Sequence, residues 1–312
     1  MSLMRSVLLR ASRSAWLRDH AMRTPYVRRA TRRFMPGEDL EDALAASREL
    51  ERESVGTILT RLGENLESEA DALAVMHHYL DAQERLRETG IRSEMSVKLT
   101  QLGLDLDRDL ALEHLLQIAR HAQTIGRSVW VDMEGSTYTG ATIELFRRAH
   151  AQCANLGIAI QSYLRRSAAD LETLIADGAA VRLVKGAYDE PESIAFRTRR
   201  EVDESYIRLG ERLLSAEALT AGVFPGFGTH DRRIIAHLRS RAAAQGVGEG
   251  ALRVRDAVRH PSRPPGPARA RRASHPRADQ LRRGLVPLVH APPRRAAGER
   301  LVRGAQRAGR LR

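Results

Sequence analysis

The densest chemistry in the chain lies in VRLVKGAY, residues 181–188, where two cations, Arg182 and Lys185, a glycine, Gly186, and a tyrosine, Tyr188, fall within seven positions. Cations so placed can hold a phosphate or a ring that accumulates negative charge, and a glycine lets backbone approach a ligand. The stretch reads as a strand end able to seat a phosphate-bearing or flavin cofactor; a solvated cationic strand end has the same composition. Polar residues also close the other short apolar runs: Lys98 and Gln101 in MSVKLTQL, Asp132 and Glu134 in SVWVDME, Gln161 in LGIAIQSY, and Thr229 and His230 in AGVFPGFGTH. No GxGxxG follows the first strand and no GxxxxGK[ST] occurs, so neither a dinucleotide fold nor a P-loop enzyme is expected. His77 and His78 lack carboxylates at metal spacing and read as helix-surface residues. The single cysteine, Cys153, excludes an internal disulfide and a multi-thiolate metal site, and reads as a small apolar helix residue.

Six apolar runs must carry those residues: 54–60, 95–102, 128–134, 156–163, 179–186 and 221–230. Each is brief, contains β-branched residues and follows a segment in which apolar residues return every three or four positions. That spacing predicts helices over 40–52, 71–88, 109–125, 140–156, 168–177, 193–216 and 232–245. Helix and strand alternate without reversal, which is the pattern of an α/β fold with a buried parallel sheet. Polar groups at the C-terminal ends of five strands favour a (β/α)8 barrel, because that end of a barrel builds the active site, whereas an open sheet concentrates its site at one crevice. A barrel needs eight strands, and the sequence shows six.

Taken together these segments resemble the proline dehydrogenase family, flavoenzymes with a distorted (β/α)8 barrel found alone or as one part of a bifunctional proline-catabolic protein. The resemblance covers roughly residues 20 to 250 and is carried by MSVKLTQLG, VWVDME, IAIQSYLRR, VRLVKGAYDE and FGTHD, in family order. It implies FAD-dependent oxidation of L-proline to 1-pyrroline-5-carboxylate, with electrons passed to a membrane quinone. Position by position, it implies that Asp132 and Arg182 are catalytic and that Lys98 and Tyr188 face the substrate. It also implies that Lys98 and Asp132 pair, and that losing either harms turnover more than folding. Met133, Gln161, Arg182, Lys185, Gly186, Ala187, Thr229 and His230 would hold FAD. Plainer readings stay open at two of these positions, Asp132 as a helix N-cap and Lys98 as a solvated strand end. The methylenetetrahydrofolate reductase barrel is a more distant fit, since VRLVKGAY suits proline dehydrogenases better.

Three regions are expected: an N-terminal helical arm over 1–53, an incomplete barrel over 54–251 and an Arg/Pro-rich tail over 252–312. The arm begins Arg-rich and acid-poor, which superficially resembles an organelle transit peptide. Its apolar run is too short for a secretory signal, and no stretch reaches the ~18 apolar residues a membrane span needs. A cytoplasmic protein is expected, with peripheral contact at the inner membrane face. The tail holds 17 Arg, no Lys, 8 of the 12 prolines and three acids, so the remainder has 34 basic against 36 acidic residues and the net charge of +12 belongs to the tail.

Family members end with two more strands, an FEFQMLYG-like segment and an Arg-Arg pair that clamps the proline carboxylate, and none of these is visible in the tail. Shifted by one base from Leu252, the codons permit Phe, Glu, Phe, Glu, Met, Leu, Tyr, Gly; shifted from Val289 to Pro292, they permit Phe, Met, Arg, Arg. The tail therefore reads as a barrel terminus translated out of frame and disordered, leaving an impaired enzyme. The alternative is a non-catalytic barrel remnant whose basic arm binds nucleic acid or anionic membrane; the out-of-frame reading expects no specific nucleic acid.

Overall fold

A computed structural model describes residues 39–62 and 66–247 in full, and 253–255, 285–286 and 288–291 as backbone. Helix α1 (Leu40–Arg52) precedes β1 (Ile58–Arg61), α2 (Glu69–Thr89) and β2 (Glu94–Val97). After a 3-10 turn (Thr100–Leu102) come α3 (Arg108–Thr124), β3 (Val129–Val131), α4 (Ser136–His150), β4 (Leu156–Gln161), α5 (Ser167–Ala176) and β5 (Ala180–Val184). The fully described part ends with α6 (Arg199–Leu213), a short α7 (Ala216–Thr220), β6 (Phe224–Gly228) and α8 (Arg232–Ala244).

Local chemistry explains where most helices begin. Asp39, Ser68, Asp107, Thr198, Ser215 and Asp231 each accept a hydrogen bond from a backbone N–H two or three residues on, and Thr198 forms a reciprocal capping box with Glu201. Each such cap contributes about 1 kcal/mol. That box explains one difference from the periodicity, which predicts a single helix over 193–216. The chain instead runs as a loop to Thr198 before α6 starts, and breaks again at the Ser215 cap of α7. A second difference is α4, which ends at His150 instead of 156, because Leu156 is committed to β4 opposite Val129.

Strands β1 to β6 lie side by side in chain order, all parallel. Parallel strands covered by helices are buried on both faces, and β4 is buried along its full length. The helices close over the sheet with Leu115, Ile118, Leu145, Phe146, Tyr206 and Leu213, all at 1% exposure or less. Trp130 occupies the space that Gly157 leaves open on the neighbouring strand, where a Cβ would collide with its ring. Cys153 is buried just beyond α4.

Three further short strands extend the sheet and correct the expectation that the tail supplies none. Strand β7 (Arg253–Arg255) pairs with β6, β8 (Leu285–Val286) with β7, and β9 (Leu288–Ala291) with β1, again in parallel. Only Pro287 separates β8 from β9, so one stretch of chain pairs with both edges of the sheet. Backbone pairing does not depend on side-chain identity, and LVPLVHA is the tail's most apolar run, which is why these residues can be strands in the frame as written. The expected disorder of the rest of the tail, and residues 1–38 of the expected arm, lie outside the described residues.

Candidate active site

The eleven residues given roles by the resemblance, from Lys98 to His230, line one cavity of 1040 Å³, whereas the strand-end residues Gln101 and Glu134 line a second. It opens where the strands give way to loops at their C-terminal ends, which is where a parallel barrel exposes polar groups without disturbing its packed interior. Its size sits at the upper end of the ~300–1,000 Å³ usual for ligand pockets.

The floor is an ion cluster. Asp132 follows β3 and is fixed by its N–H donating to Val97 at 2.8 Å. Its carboxylate accepts hydrogen bonds from the Arg182 guanidinium and, at 2.6 Å, from the Ser96 hydroxyl; the Lys98 ammonium stands 3.7 Å away. Arg182 also donates to Ser96 Oγ at 3.2 Å and lies over the Trp130 ring at 5.6 Å. Burial alone would raise the Asp132 carboxyl; Arg182, Lys98 and Ser96 outweigh it and hold the group below the usual carboxylate range. The Arg182 side chain is 6% exposed and that of Asp132 is 17%, so the cluster carries its charges in a poorly solvated place.

Around this floor the wall is built for a ligand that both donates and accepts. Gln161, at the end of β4, spends its amide N–H groups on the Met133 and Glu134 carbonyls at 3.0 and 3.3 Å, which leaves Oε1 buried and unpartnered. Arg182 Nε is likewise buried and unused. Gly186 lies beside them at φ 114°, with the Tyr163 ring where a Cβ would stand. An unused acceptor, an unused donor and a backbone cradle suit the edge of an isoalloxazine ring, so these residues fit the flavin expected from the sequence. Replacing Gly186 by Ala should cost ~1–3 kcal/mol, from both the left-handed backbone and the contact with Tyr163. A denaturant midpoint equal to wild type would show that the loop moves freely there.

Lys185 is held by Asp203 of α6 and, at 3.6 Å, by Asp231, which also caps α8. Asp231 N–H donates to Thr229 Oγ1 at 3.1 Å, which ties the Thr229–His230 turn to the N-terminus of α8. On the opposite rim Glu190 accepts from Ser136 N–H and Oγ at 2.7 and 2.6 Å, capping α4 from a distance and tying the loop that carries Tyr188 to the loop after β3. Glu134 accepts from Thr100 N–H and Oγ1 at 3.2 and 2.7 Å; burial raises its carboxyl above the usual range despite those bonds.

Ser96 and Glu190 lie within MSVKLTQLG and VRLVKGAYDE, but their partners are 36 and 54 residues away; Asp203, 18 residues from Lys185, lies in no such segment. Asp231 had a signal, as the last residue of FGTHD. Among the described residues no helix is long and apolar enough to cross a membrane, and no group of three or more His, Cys, Asp or Glu could hold a metal ion.

Comparison with known proteins fits this geometry. Residues 43–255 match the family model described as proline dehydrogenase. Proline dehydrogenase 1 of Bacillus subtilis (strain 168) is 34% identical over 219 residues, covering 69% of this chain and 70% of that protein. The proline dehydrogenase of Deinococcus radiodurans is 33% identical over 225 residues, covering 70% of this chain and 71% of its own. In shape the chain is similar to proline utilization A from Bdellovibrio bacteriovorus inactivated by N-propargylglycine, with a TM-score of 0.71 at 21% identity over 86% of this chain. It spans only 31% of that much longer protein, and the likeness shows the barrel-type α/β fold.

Proposed function

This chain belongs to the proline dehydrogenase family, and from that premise we propose that it oxidises L-proline to 1-pyrroline-5-carboxylate with FAD and passes the electrons to a quinone. The observation that carries this reading is the buried Asp132, Arg182 and Lys98 cluster, with Arg182 Nε still unused on the cavity wall. FAD, when bound, supplies the acceptor for the hydride that leaves the proline ring.

The residues of this chain prepare the transfer. Arg182 offers a fixed positive charge where a reduced ring would become negative, and it is strongest where water is excluded. Asp132 keeps Arg182 and Lys98 oriented and compensates their charge. Lys98 and Tyr188 face the substrate. Met133, Gln161, Lys185, Gly186, Ala187, Thr229 and His230 hold the cofactor, with Lys185 anchored by Asp203 and Asp231 so that it does not swing into solvent. A quinone acceptor implies a peripheral contact with a membrane face, and no specific nucleic acid is part of this function. In the frame as written the activity is impaired, because the Arg-Arg clamp for the substrate carboxylate is missing.

An absorbance spectrum tests this. Protein carrying the family's terminus should be yellow and bleach on addition of L-proline. Arg182→Met should lower flavin occupancy or the rate of bleaching at least tenfold, about 1.4 kcal/mol in either quantity. Unchanged values for both would remove Arg182 from the site.

A further inference from the structure

A second cavity, of 660 Å³, lies beside the first and shares only Tyr188 with it. It is enclosed by the end of β1, the N-terminal half of α2, the 3-10 turn and the start of α4. Arg61, the last residue of β1, lines it, and two of its guanidinium nitrogens, Nε and Nη1, are buried without a hydrogen-bond partner among the described residues. Burial pushes its pKa down from the ordinary value, although a guanidinium keeps its proton under any physiological condition. Buried N–H donors left unmade on a half-buried cation cost stability, so these two call for an acceptor, best an anionic one.

The same cavity carries the opposite charge at its mouth. Asp71 is exposed there, held below the usual carboxylate range chiefly by the Ser68 hydroxyl, and Asp105 accepts a hydrogen bond from Tyr138 at 3.2 Å. Neither pairs with Arg61. A simple anion drawn to Arg61 meets three carboxylates, Asp71, Asp105 and the Thr100-bound Glu134, and a simple cation drawn to the carboxylates meets Arg61. A ligand that carries both charges a few atoms apart satisfies both ends, with Val75 and Leu106 covering an aliphatic portion.

We propose that this cavity is a second binding site, separate from the reaction cavity, for a small α-amino acid in its zwitterionic form, with its carboxylate on Arg61 and its ammonium towards Asp71 and Asp105. The proposal stands on this charge arrangement and does not rest on the oxidation proposed above.

The full-length chain as purified, without added flavin, is the test material. L-proline at ten times its Kd should raise the melting temperature by about 3 °C. Sodium acetate and ethylammonium chloride, each at matched ionic strength, should raise it by less than a third of that. Lys98→Met, in the first cavity, should keep the proline shift, whereas Arg61→Gln and Asp105→Asn should each lose most of it. Unliganded Arg61→Gln should melt no lower than wild type, since it removes an uncompensated charge, and this separates lost binding from misfolding. A shift that survives Arg61→Gln, that vanishes in Lys98→Met, or that acetate reproduces would overturn the proposal, as would the absence of any shift in wild type.

Discussion

Inserting or deleting one base near the codons for Ala251 and Leu252, whichever restores the family's terminus, is expected to turn a weakly coloured, poorly active protein into a yellow one that oxidises proline. The physical reason begins at the edges of the six-stranded sheet. Strands β1 and β6 end in unpaired backbone donors and acceptors unless the tail covers them. In the written frame it does so with three short strands, two of them only three and two residues long, drawn from a segment rich in Arg and Pro. Such pairing satisfies backbone groups, whereas apolar burial is the larger source of stability. The restored frame permits Phe in place of Val254, Met in place of Asp256, Leu in place of Ala257 and Tyr in place of Val258, together with the Arg-Arg pair missing from the substrate site. Losing a charged partner for a carboxylate typically costs ~2–5 kcal/mol, so the corrected chain should exceed the written one by at least about thirtyfold in kcat/KM. Equal rates of proline oxidation by the two proteins would end the argument.

Asp132→Ala should be nearly as damaging, and in folding as well as in turnover. The family resemblance implies that losing this residue harms turnover more than stability. The structure argues for a larger stability cost, because the substitution leaves the buried Arg182 guanidinium beside Lys98 with no counter-charge. Removing one member of such a buried set costs about 3–5 kcal/mol. The sign of the pH dependence follows from the depressed carboxyl of Asp132. Its contribution to stability is fully present above the unfolded value, 3.8, and disappears as pH falls through the lower folded value. The gap between wild type and Asp132→Ala in urea should therefore be constant from about pH 7 down to about pH 5 and narrow below about pH 4. Glu134 works the other way: its raised carboxyl contributes below its unfolded value of 4.5 and loses that contribution as pH rises through the folded one. A gap that widened on acidification would contradict the assigned ion cluster.

Much of the architecture is legible in the sequence. Short β-branched apolar runs and period-3.6 patterning are local properties, and their unbroken alternation suffices to place six parallel strands and the helices between them. The boundaries that moved, at α4 and at α6, moved because a partner strand or a capping side chain outweighed periodicity.

The residue types at the strand ends also marked which positions line cavities, since in a parallel sheet every C-terminal end points the same way; how they divide between two cavities, Gln101 and Glu134 in the second, was not marked. What those side chains do to one another was settled only by tertiary structure. Arg182 reaches Asp132 across fifty positions, Lys185 meets Asp203 and Asp231, Glu190 caps a helix fifty-four residues away, and two guanidinium nitrogens of Arg61 find no hydrogen-bond partner among the described residues. Local sequence sets the direction of a side chain from its strand; the distance to a charge on another strand depends on register and packing, which only the folded chain supplies.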